Sequence, residues 1–517
     1  MKQHTVIPLV IGILLVVVFS PLAAQVDVPW PTDGWLTATP ESQGMDSTLL
    51  AEVYEAIRDN DLDIHSLLVI RQGYVVAEMY RYPYTAETLN DQRSITKSNT
   101  ATMVGIAIND GAISGVDATM LSFFPDQFIA NVDARKEAIT IRDMLTMSSG
   151  LDSDDDTTFF DMVSSSDWTS WMLNRPVIAE PGARFIYSSG STSLLAAIIE
   201  QATGRPLSDY AAERLYGPLG ITNFQWNREI GGVGHTSGGF GLHMTSRDMA
   251  KLGYLYLHHG EWDGVQIIPA DWVVASTSIQ APTPPGNSPN YGYQWWISSD
   301  DEPVASFTAR GYGGQLLYVA PELDLVVVFT AGLIDSDAYT FPLIYDHILP
   351  ATSSDSALPD NPDGLARLQA AIDSLQNPLP QPVPELPDMA KTISGKTYAF
   401  NFAPFYSGFR SIGWKTLALT FSEGSPEAVL TDDVGDFVLY LPIGMDAVPR
   451  MAEIPGWGTT VMRGRWTAPD TFIVNLDVLG LPEHYTMAMR FVDDQMLVTF
   501  SELLSGQQVQ LEGEATY

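Results

Sequence analysis

The chain has 517 residues, with 62 Asp and Glu against 26 Lys and Arg, a formal net charge of −36 and no cysteine. That length is too great for one compact core and predicts two or three domains, while a hydrophobic fraction of 45% excludes a disordered chain. The absence of cysteine excludes disulfides, thiolate metal sites and a cysteine nucleophile. Because the acidity repels phosphate backbones, no nucleic acid is expected as a partner.

Residues 1–24 have the organisation of a signal peptide. Lys2 supplies the positive end, residues 6–19 form an apolar stretch, and residues 21–24 offer a cleavage site. The stretch is shorter than the ~20 residues that span a bilayer. An uncleaved anchor stays open, because Leu22 is larger than the small residue usual at such a site. We expect an exported protein, periplasmic or extracellular, with no stable transmembrane span after cleavage.

Changes of composition divide the rest of the chain into three parts. Residues 25–350 mix strand-like and helix-like segments. Residues 351–390 are rich in Pro, Asp and Ser, which favours an extended linker with one short helix near residues 365–375. Short alternating apolar runs separated by turns then predict a small antiparallel β domain, a barrel or a sandwich, over residues 391–517.

The order of elements in residues 25–350 predicts an α+β fold. Strand patterns at residues 65–71 and 74–79 flank a Gln-Gly turn, and a second strand pair occurs at residues 315–319 and 325–330. Helical patterns lie between these pairs, at residues 97–109, 141–147, 191–203 and 246–258. We therefore expect one antiparallel sheet built from both ends of the domain and flanked by helices, with an all-helical lobe between them.

A candidate nucleophile occurs in Ser94-Ile95-Thr96-Lys97, where a polar stretch gives way to a helix. The spacing places both polar side chains on one helical face, so the amine of Lys97 can reach the hydroxyl of Ser94. The N–H of Ser94 would lie at the positive end of the helix dipole, where it can stabilise an oxyanion. An N-cap serine followed by a surface lysine is the alternative interpretation of this short pattern.

Other hydrolytic motifs are missing from the sequence. It contains no Gly-x-Ser-x-Gly, which argues against a nucleophile-elbow hydrolase. It contains no His-Glu-x-x-His, which argues against a zinc protease. Further segments accompany the Ser-x-x-Lys pattern in order, at residues 140–152, 181–190, 238–251 and 309–315.

Together these segments resemble the serine β-lactamase and penicillin-binding-protein superfamily. The resemblance covers about residues 35–345 and is to the class C β-lactamase-like branch, which includes 6-aminohexanoate-dimer hydrolases and β-lactamase-like esterases. It implies that Ser94 is the acylated nucleophile, Lys97 its proton acceptor and Tyr187 a proton relay to the leaving group. It implies no metal and no cofactor.

The resemblance also places Gly311-Tyr312-Gly313 at the third motif of the superfamily. The backbone N–H of Tyr312 would then complete an oxyanion hole with that of Ser94. Two departures follow: Ser189 stands where the second motif often has asparagine, and the third motif lacks the usual cation or imidazole. Arg310 could substitute for that cation or could be a solvated strand end. Aromatic side chains could line an acyl pocket or pack in the core: Trp168, Trp171, Tyr293, Trp295 and Trp296.

We therefore expect an exported serine hydrolase that cleaves a small-molecule ester or amide through an acyl-serine intermediate. The departures make efficient β-lactam hydrolysis less expected than ester or amide hydrolysis. The alternative is a penicillin-binding DD-peptidase-like protein, or a sensor that acylates once without turnover, acting on peptidoglycan fragments or β-lactams. For the C-terminal β domain three roles stay open: capping the active site, binding a polymer, or stabilising the first domain.

Overall fold

The computed structural model describes residues 29–229, 234–281, 290–401, 405–407, 410–412, 414–433 and 438–516. The expected signal peptide lies outside these ranges. Within them, every helix is too short or too polar to cross a bilayer.

Helices occur throughout the first three quarters of the chain. In the described residues they are α1 (Ser47–Asp59), α2 (Ile95–Asn109), α3 (Ala134–Ala138), α4 (Ile141–Leu145), α5 (Asp155–Ser164), α6 (Trp168–Leu173), α7 (Ser189–Thr203), α8 (Leu207–Ala211), α9 (Ser246–Leu257), α10 (Ala270–Ser276), α11 (Asp337–Leu343), α12 (Leu349–Ala351), α13 (Pro362–Gln376) and α14 (Asp388–Ile393). Two π-helical turns continue α8 and α11, at Ala212–Tyr216 and Ile344–Ile348.

Strands fall into two groups along the chain. The first group is β1 (Leu36–Thr37), β2 (Ile64–Arg71), β3 (Tyr74–Tyr80), β4 (Asn90–Asp91), β5 (Phe224–Trp226), β6 (Leu242–Met244), β7 (Glu261–Trp262), β8 (Val265–Gln266), β9 (Asn290–Tyr291), β10 (Trp296–Ile297), β11 (Phe307–Gly311), β12 (Gln315–Ala320) and β13 (Leu325–Ala331). The second group is β14 (Thr397–Phe400), β15 (Phe405–Ser407), β16 (Arg410–Ile412), β17 (Thr416–Thr420), β18 (Glu427–Asp433), β19 (Val438–Gly444), β20 (Arg450–Ile454), β21 (Gly458–Ala468), β22 (Thr471–Val478), β23 (His484–Val492), β24 (Gln495–Glu502) and β25 (Gln508–Thr516).

An eight-stranded sheet of order β1-β3-β2-β13-β12-β11-β10-β9 forms the centre of the first domain. β2 and β13, from opposite ends of the domain, pair antiparallel with Val69 opposite Val327. Because side chains alternate along a strand, Leu68 faces the helical lobe while Val69 faces α1 and α13 on the other side. The α+β class, with the sheet flanked by helices, is confirmed, and β1 joins its edge in parallel to β3.

Helix α2 runs through the middle of the helical lobe. Every residue from Ile95 to Ala107 is buried, because the helix is covered on all sides. Helix α7 packs against it, and residues Ser189 to Ile199 of that helix are also buried. These two helices carry polar residues at their N-terminal ends, and the apolar remainder of each anchors those ends in the core.

The C-terminal domain is a closed β-barrel. Its sheet has the order β19-β18-β17-β14-β25-β24-β23-β22-β21-β20, and a pairing of Gly444 in β19 with Arg463 in β21 closes it. Along β22 every second residue is buried, as the alternating sequence predicts. The expectation of a small all-β domain is confirmed, and of the two forms left open the structure is the barrel.

The segment expected as a linker, residues 351–390, contains a helix that packs in the first domain. In α13, Leu368, Ile372 and Leu375 are buried and join the core on the α1 side of the sheet. Arg367 adds a surface ion pair with Glu55 of α1, at 2.6 Å. The predicted helix is present, but the prediction of an extended linker is wrong over this stretch, because α13 completes the core of the first domain.

Candidate active site

Ser94 and Lys97 lie at the start of α2, one helical turn apart. Ser94 is half-buried, and within the described part of the chain its side chain accepts no capping hydrogen bond. Lys97 is 1% exposed, so it is not a surface lysine. Its Nζ lies 2.8 Å from Ser94 Oγ, the contact that the i to i+3 spacing predicts. The alternative of an N-cap serine and a solvated lysine does not describe this geometry.

Three oxygen atoms surround the amine of Lys97. Besides Ser94 Oγ, these are Ser189 Oγ at 2.8 Å and the carbonyl oxygen of Gly239 at 3.0 Å. A carbonyl can only accept, and Ser189 Oγ also accepts here because its own proton is donated to Asp155. The amine donates to both of these acceptors and lies within hydrogen-bond distance of Ser94 Oγ, the position that a proton acceptor for that hydroxyl must occupy.

Asp155, the first residue of α5, fixes the orientation of Ser189. Its carboxylate accepts the backbone N–H of Ser189 at 2.7 Å and the hydroxyl of Ser189 at 2.6 Å. Burial raises the pKa of Asp155, while the charge of Lys97 and the two Ser189 hydrogen bonds act in the opposite direction. The sequence analysis missed this residue, which is one of several acidic residues in the run 152–156.

Gly238 and Gly239 allow a backbone segment to approach α7 closely. A Cβ atom at position 239 would lie 2.6 Å from the carbonyl oxygen of Ser189, and one at position 238 would lie 2.3 Å from that of Thr192. Thr100 of α2 donates a hydrogen bond to the Gly238 carbonyl at 2.8 Å. Only glycine fits at both positions, and this fit brings the Gly239 carbonyl to Lys97.

An aromatic wall borders the amine. Lys97 Nζ lies 4.7 Å from the ring centroid of Tyr187, which stacks on Trp296 at 5.7 Å and an interplanar angle of 23°. Tyr291 packs its edge on Trp296 at 4.8 Å. Of the aromatic residues proposed for an acyl pocket, Trp296 lies in this wall, whereas Trp295 is fully buried in the core.

The turn Gly311-Tyr312-Gly313 joins β11 to β12 beside the nucleophile. A Cβ atom on Gly311 would lie 2.5 Å from the carbonyl oxygen of Gln92, so this backbone contacts the segment that precedes Ser94. The side chain of Tyr312 is 54% exposed. Among the residues that the structure describes, neither the N–H of Ser94 nor that of Tyr312 donates to an acceptor. An oxyanion hole requires such free N–H groups.

Arg310, considered as a substitute for the missing cation, is already paired. Its guanidinium lies 2.9 Å from the carboxylate of Asp337 and packs 4.4 Å from the ring of Phe341. It also donates to Thr308 at 3.0 Å. In the described ranges, no three His, Asp or Glu side chains converge as a metal site.

Comparison with known proteins identifies the family. The sequence model of the Beta-lactamase family matches residues 63–336, more than half of the chain. The chain belongs to this family of serine hydrolases. A 6-aminohexanoate-dimer hydrolase of Paenarthrobacter ureafaciens is 25% identical over 320 residues, covering 56% of this chain and 78% of that protein.

Two solved structures share the fold. The "Putative 6-aminohexanoate-dimer hydrolase from Bacillus anthracis" is 21% identical with a TM-score of 0.53, over 64% of this chain and 91% of its own. A "putative beta-lactamase from Bacteroides dorei" is 19% identical with a TM-score of 0.50, over 60% of this chain and 100% of its own. The family model thus confirms the resemblance deduced from the motifs, and these two structures share the fold.

Of the residues singled out in the sequence, Ser94, Lys97 and Ser189 are in direct contact, and Tyr187 lies beside them. Gly311 approaches them from β11, with Tyr312 and Gly313 following in the turn. The individual catalytic roles of these residues stay predictions.

Proposed function

We propose that the protein hydrolyses ester or amide bonds through an acyl intermediate on Ser94. The observation that carries this proposal is the arrangement of the Lys97 amine, which has two fixed acceptors and a 2.8 Å contact with Ser94 Oγ. A serine hydroxyl is a weak nucleophile, and an adjacent base is what activates it.

In the acylation step, Ser94 Oγ attacks the substrate carbonyl and its proton passes to Lys97 Nζ. The N–H groups of Ser94 and Tyr312 stabilise the negative charge on the carbonyl oxygen. The bond to the leaving group then breaks, and the leaving group takes the proton from Lys97 by way of Tyr187. In the second step a water molecule attacks the acyl carbonyl carbon and gives a proton to Lys97. The bond from that carbon to Ser94 Oγ then breaks, the carboxylic acid leaves, and the proton on Lys97 restores the Ser94 hydroxyl.

The paired state of Arg310 supports an uncharged ester or amide over a β-lactam. A β-lactam carries a carboxylate, and a cation that recognises it must be free to bind it. The Arg310 guanidinium is held by Asp337 and Phe341. The relative named as a 6-aminohexanoate-dimer hydrolase supports a linear amide as the bond that is cleaved. The basic, apolar and small-residue pattern of residues 1–24 supports export to the periplasm or the exterior.

The test combines turnover with identification of the acylated residue. We expect sustained hydrolysis of p-nitrophenyl butyrate, slower hydrolysis of nitrocefin, and a fluorophosphonate adduct on Ser94 by mass spectrometry. Ser94→Ala should lower kcat/KM by about 10⁴-fold or more. The fold should stay intact, because the Ser94 side chain makes no capping bond to α2 in the described residues.

Ser98→Ala is the matched control in the same helix. Ser98 donates to the carbonyl of Gln294 at 2.6 Å, so its removal should affect stability more than labelling. An adduct on Ser98 or Ser188 would contradict the assignment. A stoichiometric burst without steady-state turnover would instead identify a sensor that acylates once.

A further inference from the structure

A loop of the barrel lies against the segment that leads into Ser94. We call residues 479–483, between β22 and β23, the barrel loop. The N–H of Asp91 donates to the carbonyl of Gly480 at 2.7 Å. Gly480 has φ +83°, and a Cβ atom there would lie 2.2 Å from the carbonyl oxygen of Leu89. The two backbones are therefore as close as glycine allows.

The barrel loop also forms an ion pair with the residue that precedes Ser94. Glu483 accepts a hydrogen bond from the guanidinium of Arg93, whose Nε lies 3.2 Å from Asp91. Burial acts to lower the pKa of Arg93, but the carboxylates of Asp91 and Glu483 outweigh it and raise that pKa. Arg93 has φ +48°, a conformation rare for a side-chain-bearing residue. Glu483 thus holds Arg93, and with it the entry into α2.

The same loop contacts the turn on the other side of the nucleophile. A Cβ atom on Gly313 would lie 2.6 Å from Cβ of Pro482, and one on Gly332 would lie 2.8 Å from the Pro482 carbonyl oxygen. Leu504, from the loop between β24 and β25, lies 3.4 Å from a Cβ atom built on Gly313. Pro482 therefore packs directly against the residue that follows Tyr312.

We infer that the barrel loop positions the oxyanion hole, with Glu483 acting through Arg93 and Pro482 acting through Gly313. The inference rests on the proposed function, because it assigns the N–H groups of Ser94 and Tyr312 to that hole. Both N–H groups belong to backbone segments that the loop contacts. Preorganised donors stabilise a transition state only if they are held in place, and a shift of about 1 Å costs about 10²-fold in rate. Glu483 and Pro482 are positioning residues, since neither contacts the reacting atoms.

The decisive variant is Glu483→Gln in the full-length chain, which keeps the shape of the side chain and removes its charge. We expect kcat for p-nitrophenyl butyrate to fall by about 10- to 100-fold, with KM changed by less than about 3-fold. The matched control is Arg463→Gln, which removes a barrel charge 3.9 Å from Asp61 of the first domain. Its kcat should stay within about 2-fold of wild type. The melting temperature of each variant shows whether it is folded.

Hydrogen–deuterium exchange gives a second readout that does not need turnover. Glu483→Gln should accelerate exchange in peptides covering residues 89–97 and 311–315, whereas Arg463→Gln should not. Unchanged exchange at both segments, or an equal fall in kcat for both variants, would overturn the inference. If wild type shows no turnover yet exchange changes selectively in Glu483→Gln, the positioning stands and the proposed function fails.

Discussion

The two sides of the candidate active site are built in different ways. The side that holds the proposed base lies inside the helical lobe, where the buried Lys97 amine donates to Ser189 Oγ and to the carbonyl oxygen of Gly239. On the side of the proposed oxyanion hole, Tyr312 is exposed and the barrel loop packs behind it. A base must be held in one orientation relative to the nucleophile, and the buried hydrogen bonds of Lys97 hold it. An oxyanion hole must stay open to substrate, so its support comes from outside, from the second domain.

The largest effect is expected for Lys97→Arg, on the base side. Arginine keeps the positive charge but cannot be deprotonated in the working range, so kcat should fall by about 10³-fold. The measurement is p-nitrophenyl butyrate hydrolysis alongside circular dichroism. Lys97→Met, which is similar in size and carries neither charge nor base, is the control for packing. Retention of more than about a tenth of wild-type kcat by Lys97→Arg would show that charge, not the base, matters.

A smaller effect is expected for Asp155→Asn, which tests the orientation of Ser189. The asparagine amide cannot accept the Ser189 hydroxyl at its nitrogen, so that proton turns toward Lys97 and kcat should fall by about 10- to 100-fold. Burial raises the pKa of Asp155 above its usual value, so wild-type activity should fall as pH decreases through that pKa. This acid limb should disappear from the kcat profile of the variant. Asp156→Asn, an exposed neighbour, should leave both rate and profile unchanged.

The smallest effect on kcat is expected for Glu200→Gln, which lies behind the proposed base and should change stability instead. Glu200 lies on α7, the helix of Ser189, and binds His235 at 2.6 Å and the N–H of Thr236 at 3.0 Å. Burial opposes ionisation, yet these hydrogen bonds lower the pKa of Glu200 to about 2, and Glu200 raises the pKa of His235. The variant should lose about 1–3 kcal/mol of unfolding free energy.

The pH dependence of that loss follows from the two shifts. A lowered carboxylate pKa stabilises the fold above about 4.5, and this gain is lost as pH falls toward 2. A raised histidine pKa stabilises below about 6.5 and is lost as pH rises through the folded value. Urea denaturation should therefore show the largest difference between pH 4.5 and 6.5. The exposed control Glu213→Gln should differ from wild type by less than about 0.5 kcal/mol in unfolding free energy at every pH. If the loss for Glu200→Gln does not change with pH, the ionic pairing of Glu200 with His235 is contradicted.

The sequence predicted the parts of the site that are local in the chain. Ser94 and Lys97 are one helical turn apart, and Tyr187 and Ser189 belong to one short segment, so spacing alone indicated their neighbourhood. Asp155 could not be recognised, because its neighbours Asp154 and Asp156 have the same chemistry and only the tertiary fold selects one of them. The sheet and the β domain could be predicted because apolar residues recur in a strand-like pattern along their strands.

Contacts between distant parts of the chain could not be predicted from the sequence. Glu483 lies 390 residues after Arg93, and no local pattern marks the pair. The packing of α13 did leave a signal: Leu368, Ile372 and Leu375 repeat at helical spacing after Asn361, whose side chain caps the helix. The surrounding prolines and aspartates are typical of a linker, so the composition of the segment predicted an extended chain where the periodicity indicates a packed helix.

The pairing of β2 with β13 has a consequence for how the chain acquires its structure. This pair joins strands from opposite ends of the domain, so the main sheet cannot be completed until the whole helical lobe has been synthesised. The barrel is built mostly from strands that pair with their immediate successors, from β20 to β25. Since folding slows as contacts become less local, the barrel should assemble faster than the domain before it. Maturation of the first domain, not of the barrel, then sets how long apolar surface stays exposed after synthesis.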